Sequence, residues 1–138
     1  MNIGAGRYTV CKSNTVRYDG PTNPNATTVT IPNTVTVNGK AHKVTSIKEK
    51  AFSKNKKVKK ITIGKYVKGI GKYAFYRTTN LRKLVIKSKS IKSVGKNAFK
   101  KAGYKKGKKL VVDVPNSKIG AYRSLFQKRK LYASVKIK

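Results

Sequence analysis

One cysteine, one histidine and three acidic residues are all this 138-residue chain offers for most kinds of site chemistry. Each scarcity excludes something. Cys11, alone, rules out an internal disulfide and any zinc site built on cysteines. Asp19, Glu49 and Asp113 stand far apart in sequence, whereas acid–base catalysis by paired carboxylates needs two acids at one site. Glu49 falls at a position where lysine stands in neighbouring segments, so a surface ion pair is the expectation for it. Cys11 and His42 could serve as nucleophile and base, yet no glycine elbow or oxyanion signature lies near either. The simpler expectation is a turn or core thiol at Cys11 and an exposed hairpin residue at His42. No catalytic residue, cofactor site or metal site is expected. No run of 18 apolar residues occurs, so no membrane-inserting helix is expected. The first residues, MNIGAGRYTV, lack the apolar centre of a signal peptide. Either the protein stays inside the cell or the chain is a piece of a longer precursor.

What the chain has is lysine. Lys and Arg number 35 against three acids, a formal net charge of +32. Such an imbalance bears on solubility, self-repulsion and attraction to polyanions rather than on fold. Residues 44–112 hold 23 of these cations, residues 1–43 five and residues 113–138 seven. The charge thus belongs to the body of the chain and not to a tail. Hydrophobic residues make up 38% and sit at regular positions, which favours folding over disorder.

The body repeats. VTSIKEKAF (44–52), VKGIGKYAF (67–75) and IKSVGKNAF (91–99) are three copies of one pattern, 23 and then 24 residues apart. A period of this size marks a solenoid, in which each unit buries its apolar side against its neighbours. Val29-Thr30-Ile31, Ile61-Thr62-Ile63, Leu84-Val85-Ile86 and Val112-Asp113-Val114 read as four parallel rungs, ~4.8 Å apart. Alternation predicts that Ile61, Ile63, Leu84 and Ile86 point inward and that Thr30, Thr62, Val85 and Asp113 line the outer face. Phe52, Phe75 and Phe99 should stack inside as a column. The outer rungs carry insertions: a hairpin at Asn38-Gly39 and a lysine-glycine loop, 100–109. Arg7–Val10 and Thr15–Tyr18 read as an N-terminal hairpin. Ile119, Tyr122 and Phe126 predict a short amphipathic helix capped at Asn116-Ser117, followed by a closing strand over 133–137. The organisation expected is one domain: a hairpin cap (1–28), repeats (29–115) and a C-terminal cap (116–138). The fold class is α/β, mostly short parallel strand and loop, with a capping helix. Gly64 and Gly69 have the glycine spacing of a phosphate-binding loop, but Ile70-Gly71 follow where Lys and Ser or Thr would be needed.

The segment ITIGKYVKGIGKYAFYRTTNLRKL (61–84) resembles the BspA-type leucine-rich repeats of bacterial surface proteins, and the ending VPNSKIGAYRSLF is similar to that family's closing segment. The likeness extends over about residues 29–126. Where the family often has cysteine in the turn after Ala-Phe, this chain has Thr78. The resemblance implies a leucine-rich-repeat fold, export to the cell surface and a role in adhesion or binding. It carries over no ligand-binding residues.

Aligning the repeats gives columns of cations: Lys68 with Lys92, Lys72 with Lys96, Lys54 with Arg77 and Lys101, Lys59 with Arg82, and Lys60 with Lys83. At ~5 Å, each pair repels by about 0.8 kcal/mol in water before screening. A bound polyanion would relieve that. Three readings fit. The first is a non-enzymatic, monomeric surface or secreted module that docks polyanionic polymers (wall polymers, host glycans) or acidic proteins. The predominance of lysine over arginine, 29 to 6, suits diffuse contact. The second is nucleic-acid binding, at least non-specifically, with Tyr66, Tyr73, Tyr76 and Tyr104 as stacking groups. Against it, no nucleic-acid-binding motif is present. The third is a structural spacer of a larger surface protein, its lysines merely solvated.

Overall fold

The computed structural model describes residues 1–138. Its strands are β1 (Asn2–Ile3), β2 (Gly6–Val10), β3 (Thr15–Pro21), β4 (Thr28–Ile31), β5 (Thr34–Val37), β6 (Lys40–Ile47), β7 (Lys60–Ile63), β8 (Gly69–Ile70), β9 (Lys83–Ile86), β10 (Ser93–Val94), β11 (Val111–Asp113) and β12 (Lys136–Ile137). The single α-helix is α1 (Ile119–Lys128).

The alternating segments form one sheet, ordered β12-β11-β9-β7-β4, with every pairing parallel. Its register matches the repeats: Ile31 lies opposite Ile63, and Ile63 opposite Ile86. Ile31, Ile61, Ile63, Leu84 and Ile86 are buried, while Thr62, Val85 and Asp113 on the other face are half-exposed. The closing strand is shorter than expected, only β12, because 133–135 turn instead of extending.

A second ladder exists that sequence reading did not anticipate. β3, β6, β8 and β10 pair in parallel, with Val16 opposite Val44, Ile47 opposite Ile70 and Ile70 opposite Val94. β8 and β10 are two residues long, too short to show an alternating pattern. The predicted hairpins add β2, antiparallel to β3, at one end and β5 beside β6, and a short β1 that was not expected pairs with β2. Because β3 is a rung, the regular packing begins inside the segment expected to be a cap.

Between the ladders each repeat turns through its Ala-Phe motif. The turns are themselves cross-linked: the N–H of Phe52 donates to Ala74 O (2.8 Å), and that of Phe75 to Ala98 O (2.9 Å). Two residues per turn adopt left-handed backbone, Lys50, Tyr73 and Asn97 at one position and Lys54, Arg77 and Lys101 at the other, with φ between 55° and 61°. The phenylalanine column forms as expected and is longer. Rings of Tyr18, Phe52, Phe75, Phe99 and Phe126 follow one another at centroid distances of 5.7, 5.6, 5.3 and 4.8 Å. The buried core is one continuous cluster of 31 residues, from Tyr8 to Ile137.

Helix α1 closes the far end. Tyr122 and Phe126 are its buried face. The Tyr122 hydroxyl donates to Ser88 O (2.7 Å) and accepts from the Ile91 N–H (3.1 Å), fastening the helix to the last Ala-Phe repeat. The expected cap is absent: Asn116–Lys118 form a 3₁₀ turn and no side chain caps the helix.

Candidate functional site

The aligned cations lie on adjacent repeats. Lys60 is directly opposite Lys83 in the β7–β9 pair. The Arg82 N–H donates to Lys59 O (2.8 Å), and the Lys92 N–H to Lys68 O (3.0 Å). The N–H groups of Lys50 and Tyr73 bond Lys72 O and Lys96 O, which sets Lys72 and Lys96 one repeat apart. Lys54, Arg77 and Lys101 share the left-handed turn position. All eleven side chains are exposed except Arg82 and Lys101, which are half-buried. The columns do not share one face. Lys60 and Lys83 belong to the five-stranded sheet. Lys68 and Lys92 precede β8 and β10 of the other sheet, and Lys72 and Lys96 follow them. Lys54, Arg77 and Lys101 occupy the turns returning to the first sheet. Cations thus run around the whole perimeter.

Acids do nothing to offset them. The molecule has one ion pair, Arg17 Nε to Asp19 Oδ1 at 2.7 Å, in the N-terminal hairpin. Partial burial pushes the Asp19 carboxyl up, but bonds from Arg17 and the Thr9 hydroxyl outweigh it and hold the group below its ordinary value. Glu49 is exposed and forms no ion pair, contrary to expectation, because its turn position faces solvent. Asp113 sits beside Val85 in the parallel register.

Cations from separate segments converge where the insertion meets the repeats. Lys59, Arg82, Lys105 and Lys108, with Asn80, line a notch of about 300 Å³ that has no apolar lining residue. The Arg82 guanidinium is fixed by three carbonyls: Nη1 donates to Leu81 O (2.8 Å) and Gly103 O (3.1 Å), and Nη2 to Thr79 O (2.8 Å). Desolvation lowers its pKa from the ordinary arginine value. Lys105 Nζ donates to Asn80 Oδ1 (3.1 Å). Lys105 and Lys108 end a tight turn, closed by the Lys108 N–H on Lys105 O (3.0 Å), with Gly107 at φ 76°. Sequence reading placed Lys59 and Arg82 in a column but missed Asn80, Lys105 and Lys108. The signal was the lysine-glycine insertion itself, whose path back to the preceding repeat no alignment of repeats could trace.

The His42 expectation needs correction, while Cys11 takes the turn position expected of it. His42 is buried, 7% exposed, under the β5–β6 hairpin, with Nδ1 3.0 Å from Lys40 O. Alternation along β6 turns it inward between Val44 and the turn. Cys11 is exposed and sits in the turn after β2. No three metal-ligating side chains come together. The tyrosines proposed for base stacking are already engaged. Lys43 and Lys65 lie over the Tyr66 ring at 4.7 and 5.1 Å. Arg77 lies over Tyr76 at 5.2 Å, and Tyr73 meets Tyr76 edge-on. Tyr73 is half-buried and accepts a bond from Asn97 Nδ2 (3.1 Å). Tyr104 stacks on Tyr132 at 5.1 Å.

The family model of the BspA type leucine rich repeat region matches residues 22–131, in six copies. No curated protein matches the sequence. Among solved structures, a leucine rich cell surface protein from Faecalibacterium prausnitzii A2-165 is similar with a TM-score of 0.69 and 25% identity, over 83% of this chain and 29% of its own. A leucine-rich repeat protein from Bacteroides ovatus ATCC 8483 is similar at 0.61 and 25%, over 82% and 37%. The chain therefore spans about a third of either. One from Bacteroides capillosus ATCC 29799, at 0.72 and 20%, matches over 100% and 97% and supports the fold alone. No helix of the chain is long and apolar enough to cross a membrane.

Proposed function

Since the chain belongs to the BspA-type leucine-rich-repeat family, we propose that it is a non-enzymatic interaction module of a bacterial surface or secreted protein, a solenoid that docks polyanions on its basic perimeter. The carrying observation is the register that sets lysine beside lysine on successive repeats, Lys60 with Lys83 and Lys68 with Lys92, with a single ion pair in the molecule. Like charges held one repeat apart repel, and an anionic polymer is the partner that turns this cost into binding. The cell-surface relative from F. prausnitzii supports the location, and membership of the repeat family supports a binding role. The continuous core supports one folding unit over 1–138, with 116–138 as its C-terminal cap and only the part of 1–28 before the β3 rung as its N-terminal cap, and the net charge supports a monomer. Nucleic acid is the weaker reading, because Tyr66 and Tyr76 already pack against cations and Tyr73 meets Tyr76 edge-on, which leaves no run of free rings for successive bases.

Retention on immobilised heparin and on anionic wall polymer across a salt series tests this. Log affinity should fall linearly with log salt. Lys68→Gln with Lys92→Gln should reduce the slope by about 1–2, more than Lys12→Gln with Lys138→Gln, which removes the same charge. Equal losses for the two double variants would leave only a soluble basic scaffold, and a salt-independent affinity would end the polyanion reading.

A further inference from the structure

We propose that the notch between Lys59, Arg82, Lys105 and Lys108 is a defined subsite for a sulfate or phosphate ester group on an anionic glycan. This deepens the polyanion reading and rests on it. The columns offer charge along a surface, whereas the notch offers convergence. Four cationic side chains line about 300 Å³, and no carboxylate is among the lining residues. Its two halves come from far apart in sequence. Lys59 and Arg82 belong to adjacent repeats, and the insertion brings Lys105 and Lys108 against them.

The site is held in shape without a ligand. Arg82 has five N–H donors. Three are spent on Leu81, Gly103 and Thr79 carbonyls, so two remain, on a guanidinium that cannot swing away. Lys105 is tethered by Asn80, whose Nδ2 in turn donates to Lys56 O (2.5 Å). The Gly107 turn sets Lys108 three residues from Lys105 at its closing bond. A tetrahedral oxyanion has several acceptor oxygens and fits donors arriving from separate directions; preorganised donors lose little freedom on binding it. Beside the notch, the same 104–109 loop borders a larger hollow of about 540 Å³ that contains Tyr104 and Tyr132. Tyr104 is 58% exposed and gives an apolar wall against which a sugar ring can rest. That continuity favours a glycan. A single tyrosine pair is a poor track for successive bases.

The probe is a short sulfated heparin tetrasaccharide, with a phosphate-bearing glycan fragment, a desulfated tetrasaccharide and a tetranucleotide as the other arms. Lys105→Gln with Lys108→Gln alters only exposed loop residues, so the fold should survive. We expect this double variant to bind the sulfated or phosphorylated glycan about tenfold more weakly than wild type. Lys12→Gln with Lys138→Gln should change binding little. In the wild type, titration should shift the Arg82 Nε–H resonance. The desulfated and nucleotide arms should bind weakly. Whichever of the two ester-bearing glycans binds more tightly identifies the ester. Unchanged tetrasaccharide affinity in the Lys105/Lys108 variant, while the protein still binds heparin polymer, would overturn the notch and leave the polyanion reading intact. Loss of heparin-polymer binding by the wild type would overturn both. A tetranucleotide bound as tightly as the glycan would overturn the glycan assignment.

Discussion

Tyr18 shows how far a single residue can depart from the rule its neighbours obey. It occupies the first place in the ring column, where every later repeat has phenylalanine, and it is 1% exposed. Its hydroxyl has no hydrogen-bond partner. Burial drives its pKa well above the ordinary tyrosine value. An unpaired buried polar group costs about 1–3 kcal/mol, so Tyr18→Phe should raise stability, by about 1 kcal/mol. Chemical denaturation with an unchanged slope would register it; a loss of stability would mean that the hydroxyl has a partner. Residues of this kind are hard to read from sequence. Tyr18 reads only as the last residue of a hairpin strand, and its place in the column emerges once β3 is seen to run parallel to β6. The left-handed lysines are equally silent, because nothing in Lys50 or Lys54 announces a positive φ.

Among the elements, the turn between the two ladders governs how closely repeats approach. Gly71 and Gly95 occupy the same place in consecutive turns. A Cβ on Gly71 would lie 2.4 Å from Glu49 N, and one on Gly95 2.3 Å from Lys72 N. Those contacts are with backbone, which cannot yield without separating the repeats. Gly71→Ala should therefore cost about 1–3 kcal/mol or more, as overpacking does. Gly69→Ala, two residues away, should be tolerated, since the nearest atom to its Cβ would be 3.9 Å distant. Thermal melts of the pair decide it, and equal destabilisation would refute the close-approach account. The parallel rungs were legible in the sequence because Ile61–Ile63 and Leu84–Ile86 alternate over enough residues to expose a period. The ladder of β8 and β10 was not, since two residues carry no period. The columns were legible because they share the repeat register, Lys60 opposite Lys83 among them. The notch was not, because Lys105 and Lys108 lie in an insertion outside that register.

For the whole molecule, charge and cohesion oppose each other. Thirty-five cations face three acids, and folding draws the cations together. Salt should screen that repulsion, so the melting temperature should rise with sodium chloride over the range in which heparin affinity falls. A melting temperature that falls or stays flat would mean that the lysines stand too far apart to repel. The ring column has a further, optical consequence. The chain contains no tryptophan. Five rings follow one another at 4.8 to 5.7 Å in fixed, chiral array, the first four stacked and the last tilted. Near-ultraviolet circular dichroism depends on such fixed packing and vanishes when it loosens. The protein therefore carries an unlabelled gauge of its own registry. A polymer that merely coats the perimeter would leave the phenylalanine bands of that spectrum unaltered, while one that bends or unstacks the repeats would change them.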